Sequence, residues 1–428
     1  MFHQVENDIE TLMGHFCMHA RMNASNARVR VIGGESRARG RRRGRPNAGR
    51  PDAARRSPKI DAIDRSFVRS VERTVRAMAT TVRATARARA TDRETTARRR
   101  GRGRGRGGVV VARARDGGDG DGGARASARG RAVVVSDGTA LEVRARDGGG
   151  GGGGGGAGRR RRAPMVFVHG SYHAAWCWEE HFAGYFADKG RATRSVSLRA
   201  HGTSGKTPGS AASAAAGTLE THARDVAEVI EAEMKAMGED AVAPIIVGHS
   251  FGGLVAQRVA ADDIVEVGGV CLLASVPPTG NAAMVRRFLK RDFFASVKIT
   301  YAFITKAFGT NAALCRECFF SPELPRADVE RFAASINDSS SLRMLDLKTL
   351  DASLPVPRPS GTKNRDAPFF ILGGSRDFVV DREGLEETSA WFAGELRVVD
   401  GLAHDVMLDA DWRVAADAID DWLERNNL

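Results

Sequence analysis

One hexapeptide, Gly248-His249-Ser250-Phe251-Gly252-Gly253, limits the folds open to this chain more than any other feature. It follows the short apolar run APIIV (243–247) and precedes LVAQRVAA (254–261), so it reads as the junction of a buried strand with a helix. A serine at such a junction sits on a sharp turn with strained backbone angles. Small residues two before and two after it let strand and helix approach closely. The turn lifts the hydroxyl above the sheet edge, at a helix N-terminus that favours negative charge.

Strand-like and helix-like stretches alternate on both sides of this junction. AVVVSDGTALEVRA (132–145) holds two strand-like runs around Asp137-Gly138, a hairpin signal. PMVFVHG (164–170) is an apolar run suited to a buried parallel strand. A helix-like stretch covers Glu179–Lys189, and ATRSVSLRA (192–200) is a strand candidate leading into HGTSG. Leu219, Ala223, Val226, Ile230, Met234 and Met237 share one helical face. VGGVCLLAS (267–275), FFILGG (369–374) and ELRVVDG (395–401) read as strands, and DWRVAADAIDDWL (411–423) as a closing amphipathic helix. Residues 280–350 break the alternation, read as helices, and lie where a helical cap would be inserted. The fold class expected is α/β, a mostly parallel sheet flanked by helices.

The first part of the chain is unlike the rest. Residues 1–162 carry 38 Lys and Arg against 16 Asp and Glu, whereas residues 163–428 carry 27 against 36. The overall charge of +13 is therefore an average of a basic extension and a mildly acidic globular part. No aromatic residue occurs from Val68 to Val166, and Arg, Gly and Ala dominate. Such a stretch cannot bury enough apolar surface to offset ordering entropy, so residues 1–130 are expected to be disordered. Within them, MATTVRATARARATDRETTARRR from Met78 has the Arg-, Ala- and Thr-rich, acid-poor character of an organelle transit peptide, which points to the chloroplast or another organelle; the alternative is a solvated basic tail with no address on a cytoplasmic protein. The Arg- and Gly-rich stretch from Val68 onward lacks aromatic residues for base stacking, so no nucleic-acid partner is expected. Nine glycines, Gly148–Gly156, and the arginines to Arg162 read as a loop insertion (148–162) in a domain spanning 131–428. The five cysteines, Cys17, Cys177, Cys271, Cys315 and Cys318, are odd in number and do not suggest a disulfide framework. The single C-x-x-C lacks the second pair that a zinc site would want, so no metal or cofactor is expected. No apolar run is long enough to suggest a membrane span.

A serine hydroxyl needs a base within hydrogen-bond reach, and the base needs an orienting carboxylate. On this architecture both come from loops at the carboxyl ends of later strands, in the order Ser, acid, His. Asp377 follows FFILGGSR and His404 follows ELRVVDGLA, so Ser250, Asp377 and His404 are the candidate catalytic set. Asp381, one helical turn onward, is the alternative acid, and Asp400 is too close in sequence to His404 to orient it. His249 and His201 are expected to shape and pack their loops. Oxyanion donors are expected from the backbone N–H of Phe251 and that of Ser171. Tyr172 and His173, in the loop beside the site, are the candidate substrate contacts.

Taken together, VHG (168–170), HGTSG (201–205), GHSFGG (248–253), GGSRD (373–377) and GLAHDVML (401–408) resemble the α/β-hydrolase superfamily. Within it, VHGSYHAAWCWEEHF (168–182) is similar to the oxyanion-loop region of plant methyl-ester hydrolases and hydroxynitrile lyases. The resemblance implies an α/β-hydrolase fold, a small or medium carboxylic ester as substrate, and an acyl-enzyme on Ser250. It leaves open other chemistry at the same serine (hydroxynitrile lyase, thioesterase, C–C hydrolase or acyltransferase) and a non-catalytic ligand receptor. A lyase would further depend on a cap lysine, for which Lys298 and Lys306 are the candidates. Phe288, Phe293, Phe294, Tyr301 and Phe303 alternate with Arg286, Arg287, Lys290 and Arg291 in this segment. That pattern reads as an amphipathic lid whose basic face is open to weak contact with anionic lipid.

Overall fold

The computed structural model describes residues 129–149, 162–207, 215–238, 241–340 and 342–428. The basic extension, its transit-like segment and most of the glycine-rich insertion lie outside the described residues.

The central strands form because their sequences are apolar on both faces. β3 (Met165–Val168), β6 (Ile245–His249), β7 (Gly269–Leu273) and β9 (Phe369–Gly374) are buried along their whole length. β1 (Arg129–Val134), β2 (Ala140–Arg146), β4 (Thr193–Val196) and β10 (Glu395–Val399) complete one eight-stranded sheet. Its order is β1-β2-β4-β3-β6-β7-β9-β10, antiparallel only where β2 meets β1 and β4. The chain moves from β3 to β4 on one side, then crosses to β6 on the other. The gap between the carboxyl ends of β3 and β6 is therefore the switch point, where open α/β sheets bind ligands.

Period-two alternation divides the core into two layers. Met165, Phe167, Ile245, Val247, Cys271, Leu273 and Phe370 face one layer. It is completed by α1 (Trp176–Glu179), α2 (Phe182–Asp188) and, later in the chain, the closing helix Trp412–Arg425. Val166, Val168, Ile246, Val270, Leu272 and Ile371 face the other. There they meet α3 (Leu219–Met237) and α4 (Phe251–Asp262).

Between β7 and β9 the chain runs through α5 (Ala282–Arg291), α6 (Phe293–Thr305), α7 (Ala312–Phe319) and α8 (Arg326–Ser339). The expectation of helix throughout 280–350 is corrected at its end. Arg343–Leu345 forms β8, which pairs in parallel with β5 (Ala215–Gly217). Three residues are too few to show a period of two, and the pairing joins segments far apart in sequence. After α9 (Leu347–Leu350), the chain returns to β9, then α10 (Arg382–Phe392), β10 and the closing helix α11. No helix among the described residues is long and apolar enough to cross a membrane.

The junction of β6 and α4 dictates its own glycines. A Cβ on Gly252 would lie 2.2 Å from the carbonyl oxygen of His169 and 2.6 Å from that of Val168. One on Gly248 would lie 2.5 Å from the Gly252 oxygen. These obstacles are backbone atoms and cannot rotate aside. Gly252→Ala is accordingly expected to lower stability by about 1–3 kcal/mol through overpacking. A denaturant midpoint unchanged from that of the parent protein would contradict this packing account.

Candidate active site

Ser250 closes β6 and opens α4 with φ 53° and ψ −121°. Positive φ on a non-glycine residue is strained, and such strain persists only where the surroundings hold it. Here the surroundings are the Gly248, Gly252 and Gly253 contacts, and the Ser250 N–H, which donates to the Leu273 carbonyl at 3.1 Å. The turn projects Ser250 to the carboxyl end of the sheet, at the switch point. A Cβ on Gly170, in the loop after β3, would lie 2.9 Å from Ser250 Cβ, so that loop passes directly beside the serine. The Phe251 N–H belongs to the first turn of α4, where amide groups lack intrahelical acceptors.

β9 and β10 are paired in register up to Gly374 and Val399, which brings the loops that follow them together. His404 Nδ1 donates to Asp377 Oδ2 at 2.9 Å, and both side chains are buried. Asp377 Oδ1 in turn accepts from the N–H groups of Val379 at 2.6 Å and Val380 at 2.9 Å. The carboxylate is thus fixed in its own loop and fixes the imidazole. Burial acts to lower the His404 pKa, but the Asp377 charge and hydrogen bond, with a further contribution from Asp405, outweigh it and raise the pKa. With Nδ1 engaged, Nε2 is the nitrogen left to exchange a proton.

The alternative acid lies elsewhere. Asp381 caps α10 by accepting from the Gly384 N–H at 3.0 Å, and Arg287 on α5 donates to both its oxygens at 2.6 Å. Asp400 accepts from Ser375 Oγ at 2.7 Å. His249 is buried and donates from Nε2 to the His404 carbonyl at 3.1 Å. Burial, reinforced by the nearby His404 charge, pushes its pKa down to about 3. His201 is buried against the Arg199 carbonyl, and its pKa falls to about 4 through loss of hydration.

The two expected substrate contacts take different places. His173 is fully buried, with Nε2 2.9 Å from Asp405 Oδ2 and Nδ1 2.9 Å from the Ser171 carbonyl. It stacks on Trp176 and meets Phe319 edge-on. A ring with no exposed surface and both nitrogens facing protein oxygens supports its loop instead of touching substrate. Tyr172 has φ 68° and donates its hydroxyl to the Phe303 carbonyl on α6 at 2.7 Å. It pins the loop after β3 to the helical segment. The lysines considered for lyase chemistry are also engaged. Lys306 donates to the carbonyls of Asn337 and Ser340, each at 2.7 Å, and Lys298 pairs with Glu317.

Two acids next to His404 were missed in the sequence. Asp405 faces His173 and His249, and Asp409 accepts from the N–H of Ala403 at 2.8 Å and from Ser321 Oγ at 2.7 Å. Their signal was two acids within the otherwise apolar run AHDVMLDA (403–410), which implies burial and therefore partners.

A model of the Alpha/beta hydrolase family matches residues 165–418. A carbendazim hydrolyzing esterase from Nocardioides sp. is 36% identical over 127 residues, which span 28% of this chain and 46% of that protein. Less than half the length of that relative is therefore matched. A candidate lipase from Acinetobacter baumannii superposes with a TM-score of 0.50 at 15% identity, over 70% of this chain and 92% of that one. An esterase from Exiguobacterium antarcticum is similar at 19% identity and a TM-score of 0.47, over 69% of this chain and all of that one (100%).

The ion pair makes His404 readable by NMR. Its imidazole is expected to titrate above an ordinary histidine, and Asp377→Asn is expected to bring that titration down. Equal titration midpoints in the two proteins would show that Asp377 does not act on His404.

Proposed function

Because the chain belongs to the alpha/beta hydrolase family, we propose that it is a serine esterase that cleaves a small or medium carboxylic ester through Ser250, His404 and Asp377. The observation that carries the reading is the strained serine at the β6–α4 turn, on the same sheet end as a buried His404–Asp377 pair. In this reading His404 Nε2 takes the proton of Ser250 Oγ as the oxygen attacks the ester carbonyl. Asp377 holds the Nδ1–H tautomer and stabilises the imidazolium that forms. The N–H groups of Phe251 and Ser171 receive the developing oxyanion, aided by the N-terminal end of α4. The leaving alcohol takes the proton back from His404. Water, deprotonated by the same nitrogen, then releases the acid and regenerates the serine.

The likeness of HG-x-x-H and AWCW in residues 169–178 to plant methyl-ester hydrolases favours compact esters as first substrates. The Nocardioides relative is named an esterase, which supports ester cleavage. Phe303, half-buried and packed against Phe319, which itself lies 6.2 Å from His404 between ring centres, suits an apolar acyl or alcohol group.

The test is steady-state hydrolysis of p-nitrophenyl acetate and butyrate by the full chain. Ser250→Ala is expected to lower kcat by at least about a thousandfold, and the rate of the parent protein is expected to fall at acid pH as His404 becomes protonated. Turnover retained by folded Ser250→Ala would refute the assignment.

A further inference from the structure

A second buried imidazole–carboxylate pair lies behind the first, and it spans the two loops on which the proposed chemistry depends. His173 stands two residues beyond Ser171 in the loop after β3, and Asp405 directly follows His404 after β10. The pair is 2.9 Å long, and its side chains are 1% and 0% exposed. The other ring nitrogen of His173 faces the Ser171 carbonyl at 2.9 Å, so the carboxylate fixes a ring that in turn fixes the peptide of Ser171. Asp405 is itself held, since its N–H donates to the Phe319 carbonyl at 3.0 Å.

The remaining carboxylate oxygen makes the arrangement unusual. Asp405 Oδ1 is buried and has no hydrogen-bond partner among the described residues. It lies 3.5 Å from His249 Nε2, whose hydrogen bond goes to the His404 carbonyl. One ligand-type atom each from His249, His404 and Asp405 falls within 4.8 Å of the others. A buried carboxylate oxygen without a donor is costly and calls for an explanation.

We propose that Asp405 is a positioning residue for ester cleavage, which holds the Ser171 loop through His173 and stabilises the charged form of His404 across the buried cluster. The inference rests on the assignment of Ser250 and His404 above. Six elements carry groups that face this cluster, and the loop after β3 contributes His173. The loop after β9 contributes Asp377, β6 contributes His249, and the loop after β10 contributes Asp405 itself. α7 contributes Phe319 against His404, with Cys315 and Cys318 near Asp405, while α1 contributes Cys177 near Asp405. Burial pushes all three thiols up, so they stay neutral, and Asp377 and Asp405 supply the acidic charge acting on His404. Loss of the Asp405 charge leaves His404 easier to deprotonate.

The experiment compares the full-length parent protein, Asp405→Asn, His173→Gln, the double variant and Ser250→Ala in ester hydrolysis across pH, with thermal melting alongside. Asp405→Asn is expected to move the acid limb of kcat/KM to lower pH. It is also expected to reduce kcat by about 3- to 100-fold with KM nearly unchanged, the range for groups in one buried network. His173→Gln is expected to reduce kcat while the acid limb stays in place. The double variant is expected to lose less than the product of the two single losses, because both break the same clasp. A folded Asp405→Asn protein with the parental kcat and acid limb, altered only in melting temperature, would reduce Asp405 to a structural brace. If Asp405→Asn does not fold, His173→Gln decides, and an unchanged kcat there overturns the inference. Ser250→Ala separates the two levels. Its loss of turnover beside parental behaviour of Asp405→Asn refutes this inference alone, whereas retained turnover refutes the assignment beneath it.

Discussion

The backbone of Ser250 is the constraint around which the rest of the molecule is arranged. A left-handed φ on a residue with a side chain is strained, so neighbouring segments must over-determine it. Gly248 and Gly252 do this by letting β6, α4 and the end of β3 approach closely, and Gly253 by leaving room for Ser275. The same close approach brings Gly170 against the serine and so fixes the loop that carries Ser171 to His173. The order of the strands then decides which loops can join it. β3 and β6 are neighbours at the switch point, and β9 and β10 deliver Asp377 and His404 to the same end of the sheet.

Electrostatics complete what packing begins. The cluster behind the serine holds His173, His249, His404, Asp377 and Asp405, all with little or no exposure. Burial alone would strip these groups of charge, and His249 and His201 show that outcome. His404 escapes it because a carboxylate is hydrogen-bonded to its Nδ1 and a second lies nearby. Two histidines in one buried site are thus driven in opposite directions, His249 downward by burial and His404 upward by its carboxylates. That separation leaves His404 the ring of the two that more readily takes a proton.

Much of this was legible in the sequence because it rests on local patterns. Apolar runs such as MVFV, IIV and FFIL announce buried parallel strands, and the glycines around Ser250 announce a tight strand-to-helix turn. Asp377 and His404 stand just after strand-like runs, and the structure pairs them there. What was not legible depends on contacts between distant segments. β8 has three residues and gains its identity only from pairing with β5. The His173–Asp405 pair joins positions 232 residues apart; the apolar run around Asp405 implies a buried partner but does not say which residue it is. Tyr172 and His173 stand beside the site in sequence, yet Tyr172 ties its loop to α6 and His173 turns into the core.

The central claim is that Ser250 is an activated nucleophile, and peptide mapping of a covalent adduct tests it most directly. Folded full-length protein would be treated with a fluorophosphonate, digested and read by tandem mass spectrometry. The account predicts one adduct, on Ser250, formed more slowly in Asp377→Asn protein. An adduct on another residue, or none on protein shown to be folded, would contradict it.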